Sequence, residues 1–267
     1  MPSGEQDLLT QYLQGTVQAS DINKVDRLKV ALCGDEKTGK SNLIARTARK
    51  PLLVCDFDDR RESIAGQENV TVKTYVDADA GLPKAWGELE SDLGSIEHLK
   101  KEGKLSIKSI SLDSMTYLRQ IASNQMMRDT NNLRKSKIGI QNYFIAQGWD
   151  SINYVQIMLY QLIRRLFALD IDVYCVFHTR NEKDKVRSTK ENTVYTDKLT
   201  VEPQNLSILL PIFNEKWRTY IDSDGLYKLQ TKGDYFFSAS TALNISNIEE
   251  QDINKILTKH NNGNKKA

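Results

Sequence analysis

One short segment near the amino terminus limits the possible fold more than any other part of the chain. It is Gly34-Asp35-Glu36-Lys37-Thr38-Gly39-Lys40-Ser41, which fits the pattern G-x-x-x-x-G-K-[ST] of a phosphate-binding loop, or P-loop. Residues 28–33 are apolar and predict a buried strand before it, and residues 42–48 can open a helix after it. Such a strand–loop–helix directs backbone N–H groups and the positive end of a helix at phosphate oxygens. We therefore predict a domain that binds a nucleotide.

The residues of this loop have separate predicted roles. Lys40 is expected to reach the β- and γ-phosphates of ATP, and the Ser41 hydroxyl is expected to bind Mg²⁺. The remaining residues are expected to hold the phosphate chain through the loop backbone. The predicted nucleotide-binding set is Gly34, Asp35, Glu36, Lys37, Thr38, Gly39, Lys40, Ser41 and Asn42.

Charge and composition are those of an ordinary globular protein. The chain has 267 residues and a net charge of +2, a balance that neither requires nor excludes a nucleic-acid partner. No apolar segment approaches the length needed to span a membrane, and the amino terminus does not resemble a signal peptide. Cys33, Cys55 and Cys175 fall in or at the end of predicted strands, as buried reduced thiols would. We expect a cytoplasmic location and no membrane partner.

Strand patterns alternate with helix patterns along most of the chain. Strands are predicted at 51–56, 70–76, 106–113 and 171–177, and helices at 83–101, 115–127 and 150–169. This alternation predicts an α/β fold with a mostly parallel sheet flanked by helices on both faces. Short segments with glycine turns at 217–222, 225–231 and 235–240 predict a carboxy-terminal antiparallel meander.

The same reading divides the chain into three parts. We predict an amino-terminal arm at 1–26, an ATPase domain at 27–243, and a carboxy-terminal helix with a polar tail at 244–267. Polar segments at 128–149 and 181–198 are predicted to be irregular.

Polar residues follow three predicted strands on the side where the P-loop lies. Asp113 ends the strand at 106–113, which is typical of a Walker B aspartate that holds Mg²⁺; the alternative is a cap for the next helix. Asp56 and Asp58 end the strand at 51–56, where a carboxylate can orient or deprotonate the attacking water; the alternative is a solvated strand end. His178 follows the strand at 171–177 and is either a sensor of the γ-phosphate or an ordinary loop histidine.

In this order the motifs resemble the RecA-like ATPases. The resemblance rests on the P-loop, on Leu53-Val54-Cys55-Asp56-Phe57-Asp58, on Leu112-Asp113-Ser114, and on Val176-Phe177-His178-Thr179-Arg180. It is nearest to phage-encoded RecA-like nucleotide-binding proteins linked to single-strand annealing and recombination. It implies a RecA-like core, ATP with Mg²⁺, single-stranded DNA, assembly into a ring or filament, and the host cytoplasm. A single-strand-binding or recombination protein is a further implied partner.

The resemblance also implies roles for particular residues. Asp58 matches the catalytic glutamate of the family, and its side chain is one methylene shorter, which predicts slow hydrolysis. The resemblance further implies that single-stranded DNA stimulates this hydrolysis. His178 matches the γ-phosphate sensor. Lys232, in the meander, matches a cation that a neighbouring subunit supplies to the γ-phosphate; the alternative is a solvated lysine. The segments at 181–198 and after Arg128 match loops that contact DNA.

Two other functions are compatible with the same sequence. One is a P-loop kinase for a small molecule, in which the basic segment at 181–198 would close over the phosphates. The other is an interaction module that binds nucleotide without useful turnover, which the shortened acid at Asp58 leaves open.

Overall fold

The structure is a computed structural model that describes residues 27–138, 149–183, 195–199, 209–234 and 238–264. Its helices are α1 (Lys40–Thr47), α2 (Ala85–Lys101), α3 (Met115–Ile138), α4 (Trp149–Phe167) and α5 (Ile253–Asn264). Its strands are β1 (Lys29–Gly34), β2 (Leu52–Asp56), β3 (Val70–Thr74), β4 (Ser109–Asp113), β5 (Asp172–Lys183), β6 (Tyr195–Leu199), β7 (Glu215–Ile221), β8 (Tyr227–Gln230) and β9 (Ile248–Glu250).

The strands form one mixed sheet in the order β3-β2-β4-β5-β1-β7-β8-β9, and β6 pairs with the far part of β5. Strands β3 to β7 in this order are parallel, whereas β8 and β9 continue as antiparallel neighbours. The predicted α/β fold, with a mostly parallel sheet, flanking helices and a carboxy-terminal meander, is confirmed. This is the α/β fold of P-loop NTPases.

Alternate side chains of β1 enter two separate hydrophobic cores. Ala31 and Cys33 face the core that α2, α3 and α4 cover, while Val30 and Leu32 face the core that α1 and α5 cover. Successive side chains of a strand point to opposite faces, so a central strand buried on both faces is apolar throughout. The sheet therefore holds the P-loop, which follows β1, between two packed layers. Cys33, Cys55 and Cys175 are buried and form no disulfide.

Several predicted boundaries differ from the structure. Helix α3 continues to Ile138, beyond the predicted end at 127, because no glycine or proline interrupts its sequence. Strand β5 does not end near 180 but continues to Lys183 and pairs with β6, so both ends of the predicted irregular segment at 181–198 are strands. Its middle, 184–194, lies outside the described residues, as do 1–26 and 139–148.

A further difference concerns the carboxy-terminal meander. Its third strand is β9 at Ile248–Glu250, whereas Ser240, in the segment predicted to be a strand, forms an isolated bridge with Lys216. Ile253 and Ile256 of α5 are buried in the same core as Leu43 and Ile44 of α1. The segment after residue 243 therefore contributes side chains to this core, and the predicted division of the chain at 243 stays a prediction.

Candidate functional site

The P-loop joins β1 to α1 at the carboxyl edge of the parallel strands. Gly39 precedes α1 with a left-handed φ of 85°, and Leu43 N–H donates to its carbonyl at 2.8 Å. A Cβ atom on Gly34 would lie 2.4 Å from Thr219 Oγ1 and 2.5 Å from the Thr219 carbonyl oxygen. Only glycine permits this close approach to β7. The two glycines of the motif thus let the loop curl tightly over the end of the sheet.

Lys40 is held inside the loop. It is only 5% exposed, and its ammonium donates to the carbonyl oxygens of Gly34 at 2.9 Å and Asp35 at 2.6 Å. Burial lowers the pKa of Lys40, and the negative charges of Asp113 and Asp35 oppose that shift. A cation in this position favours an anion beside it, because phosphate oxygens can replace the carbonyls as acceptors.

The two predicted magnesium ligands lie in contact. Ser41 Oγ donates to Asp113 Oδ2 at 2.5 Å. Burial raises the pKa of Asp113, while the Ser41 hydrogen bond and the Lys40 charge lower it. A hydroxyl and a carboxylate side by side are the hard oxygen donors that Mg²⁺ prefers, and the buried negative charge would gain from a divalent cation. The residues present therefore fit Mg²⁺ with the phosphates as its other ligands.

Asp56 and Asp58 have different surroundings. Strand β2 ends at Asp56, whose buried carboxylate accepts from Thr74 Oγ1 at 3.1 Å and from the N–H groups of Asp58 and Arg60 at 3.3 and 3.4 Å. Asp58 lies beyond the strand, in the bend that these bonds shape. Burial, the hydrogen bond to Asp56 and the charge of Asp113 raise the pKa of Asp58 to about 7. The two carboxylates therefore do not share one strand face, as an extended strand would have placed them.

His178 pairs with Gly34 across β5 and β1, so its backbone lies level with the start of the P-loop. Burial and the positive charge of Lys40 lower the pKa of His178 to about 4. Its imidazole is therefore neutral near pH 7, which suits hydrogen bonding more than ion pairing. Its neighbour Thr179 donates its hydroxyl to Asp35 of the P-loop.

These side chains line one cleft of about 420 Å³. Of the predicted residues, the cleft is lined by Glu36, Lys37, Gly39, Lys40, Ser41, Asn42, Asp56, Asp58, Asp113 and His178. Within the described ranges, no group of three or more His, Cys, Asp or Glu side chains has the geometry of a protein-only metal site.

Lys232 lies away from this cleft. Strand β8 runs antiparallel to β7, so the chain leaves the P-loop edge as it passes from Tyr227 to Gln230, and Lys232 follows Gln230. Lys232 is exposed, and its carbonyl accepts from Gln230 Nε2 at 3.0 Å. Its side chain is not part of this subunit's own phosphate site, and its action on a neighbouring subunit stays a prediction.

Two groups of residues at the site were not predicted from the sequence. Arg60 and Arg61 line the cleft directly after the acidic bend, and their proximity to that bend in the sequence is the signal that could have revealed them. Thr219 and Gln251 hold the P-loop from the other side: Thr219 Oγ1 lies 2.8 Å from Thr38 Oγ1, and Gln251 Nε2 donates to the Thr38 carbonyl at 2.9 Å. Nothing local in the sequence predicts those contacts, since more than 180 residues separate the partners.

A P-loop whose lysine is buried and whose serine contacts an aspartate at the end of a neighbouring strand defines a P-loop NTPase. A protein-family model described as an AAA domain matches residues 26–212, most of the chain, so this chain belongs to that family. Membership indicates a nucleotide-binding ATPase domain, and proteins of this family generally use ATP with Mg²⁺. A search of curated proteins found no match. None of the described helices is long and apolar enough to cross a membrane.

Proposed function

We propose that this chain is a RecA-like ATPase that binds ATP, hydrolyses it slowly, and acts with single-stranded DNA in recombination or replication of the phage type. The observation that carries the proposal is the meeting of Lys40, the Ser41–Asp113 pair and Asp58 in one cleft. These are the cation, the metal ligands and the carboxylate that ATP hydrolysis requires.

In the proposed reaction, water attacks the γ-phosphorus while the bond to the bridging oxygen breaks. The Asp58 carboxylate orients that water and accepts its proton. Lys40 would exchange its two backbone acceptors for phosphate oxygens, and Ser41 and Asp113 would hold Mg²⁺. A bound Mg²⁺ supplies positive charge to the β- and γ-phosphates. A neutral His178 can donate its one ring N–H to an oxygen of the terminal phosphate.

The route from nucleotide to DNA would follow β5. His178 lies in the cleft, Thr179 bonds the P-loop through Asp35, and the same strand continues into the β5–β6 hairpin. A shift at the γ-phosphate would be transmitted along β5 to the place where this strand pairs with β6. The polar segment between β5 and β6 carries Lys185 and Arg187, which suit phosphate contacts with DNA.

Phosphate release from ATP, measured with and without single-stranded DNA, tests the proposal. We expect slow phosphate release that single-stranded DNA stimulates. The stimulation should weaken steeply with added salt, because basic side chains that bind DNA phosphates displace counterions from the DNA. Transfer of phosphate to a small acceptor would indicate the kinase instead. ATP binding with no turnover under either condition would indicate an interaction module.

A further inference from the structure

Arg60 lies at the mouth of the cleft, opposite the P-loop. Its guanidinium is 3.8 Å from an Asp58 oxygen and 3.9 Å from a Glu36 oxygen. Glu36 belongs to the P-loop and Asp58 to the bend after β2, so the guanidinium bridges the two walls of the cleft. The terminal phosphate of a nucleotide would enter between these walls.

The backbone of Arg60 accepts a fixed place in the bend, while its side chain is exposed and only loosely paired. Its N–H donates to Asp56 Oδ1 at 3.4 Å, which ties it to the end of β2. Its side chain is 57% exposed, and both of its ion pairs are long. Ion pairs of this kind contribute little to stability, so a better acceptor can displace them.

The charges around the cleft create a need for such a cation. Glu36, Asp58 and Asp113 already place acidic groups around Lys40, and the phosphates of ATP would add more negative charge. A planar guanidinium matches two phosphate oxygens better than an ammonium does. It would also hold the phosphate beside Asp58, because both residues belong to the same bend.

We propose that Arg60 contacts the terminal phosphate of ATP bound to its own subunit and stabilises the charge of the transition state. This role in cis rests on the proposed ATPase function and is separate from the action of Lys232 on a neighbouring subunit. Arg60 would release Glu36 and Asp58 when the γ-phosphate arrives, so it would distinguish ATP from ADP.

The test compares Arg60→Ala and Arg60→Lys with wild type and with Arg164→Ala. Arg164 is an exposed arginine on α4, outside the cleft, so its replacement removes the same charge elsewhere. Affinities for ATP and ADP are measured by titration calorimetry, and turnover by phosphate release. We expect Arg60→Ala to lose roughly 10-fold or more of the preference for ATP over ADP. Turnover should fall roughly 10²–10³-fold, as on loss of one transition-state donor.

Arg60→Lys should recover part of the ATP preference, because lysine keeps the positive charge but cannot donate to two phosphate oxygens as the planar guanidinium does. Mixing Arg60→Ala with Lys40→Ala protein should restore no activity, since each subunit lacks a group that it must supply itself. Restored activity would show that Arg60 acts in trans and would overturn the proposal. So would an Arg60→Ala variant that matches Arg164→Ala in both assays.

The failure of this proposal is distinguishable from that of the ATPase function. If wild type releases phosphate and Arg60→Ala does so equally, only the role of Arg60 is wrong. If wild type binds ATP without releasing phosphate, the proposal of hydrolysis is wrong. The ratio of ATP to ADP affinity then still decides whether Arg60 contacts the γ-phosphate.

Discussion

Asp56 and Asp58 show how two carboxylates in one bend acquire different chemistry. Asp56 accepts from three donors and so holds the shape of the bend. Asp58 is partly buried next to two other acids, and its pKa is raised to about 7. A carboxylate with a pKa near the working pH is suited to general-base catalysis.

Asp58→Asn should therefore keep ATP binding and slow hydrolysis by roughly 10²–10⁴-fold, because an amide cannot accept the proton. In wild type, kcat/KM should rise with pH through about 7, as Asp58 of the free protein loses its proton. That rise should be absent from the residual activity of the variant. Asp56→Asn is the comparison, and a larger loss there would mean that Asp56 is the base.

The same variant has a consequence for stability. Folding raises the pKa of Asp58 from 3.8 to about 7. The free energy of unfolding therefore falls as the pH rises from 3.8 through about 7, because the folded protein holds a proton that the unfolded chain has lost. Asparagine cannot ionise. Asp58→Asn should therefore raise the melting temperature relative to wild type, and by more at about pH 8 than at about pH 5.

Lys40→Ala should abolish both ATP affinity and hydrolysis, because it removes the buried cation that the phosphates would meet. Two loop carbonyls, those of Gly34 and Asp35, also lose a donor, so a modest loss of stability should accompany the loss of function. Far-UV circular dichroism should stay that of the folded protein. Turnover at the wild-type rate would contradict the assignment of the P-loop.

At the scale of elements, the strands β7 to β9 and the residue after them support the P-loop from outside the cleft. Gln251, directly after β9, donates to the Thr38 carbonyl at 2.9 Å and to the Lys228 carbonyl at 3.1 Å. A Cβ atom on Gly39 would lie 2.8 Å from Gln251 Oε1. One side chain therefore links the meander to the P-loop.

Gln251→Ala should weaken ATP binding several-fold because the loop loses this support. Gln230→Ala is a matched control: Gln230 is equally buried and donates to Lys232, away from the loop. Both variants should lose about 1–3 kcal/mol of unfolding free energy in urea. Equal ATP affinity in the two variants would show that Gln251 supports the fold without positioning the loop.

The sequence predicted those elements whose signal is local. The P-loop, β1 and α1 follow from adjacent residues, and Asp113 follows from the end of a strand in which Ile110 and Leu112 alternate with serines. The support from Thr219 and Gln251 was not predictable, because it depends on which distant strands become neighbours in the sheet. The pairing of β5 with β6 was missed because the paired segments, 179–183 and 195–199, are mostly polar in sequence and show no apolar period.

At the scale of the whole molecule, the position of Lys232 makes a demand on assembly. It is exposed and lies away from its own P-loop, so it can assist catalysis only from a neighbouring subunit. Lys228 is a weaker candidate because it lies within β8, where its side chain is only 28% exposed. The predicted ring or filament would place Lys232 at a γ-phosphate across the interface.

Lys232→Ala and Lys40→Ala should each be inactive alone and partly active when mixed. At a hybrid interface the first variant supplies an intact P-loop and the second supplies the lysine, so activity returns there. Phosphate release after mixing measures the effect, and light scattering establishes co-assembly. Full activity of Lys232→Ala alone, or no recovery in proven mixed assemblies, would exclude Lys232 as the trans-acting cation.

The place of β7 in the sheet matters for how the chain can be shortened. The family match ends at residue 212, and β7 begins at Glu215, yet β7 is the strand that covers one side of β1. A fragment that stopped at 212 would retain every residue of the phosphate motif and would present the backbone of β1 as an open edge. Unpaired strand edges recruit strands from other molecules, so such a fragment would aggregate before it could bind a nucleotide.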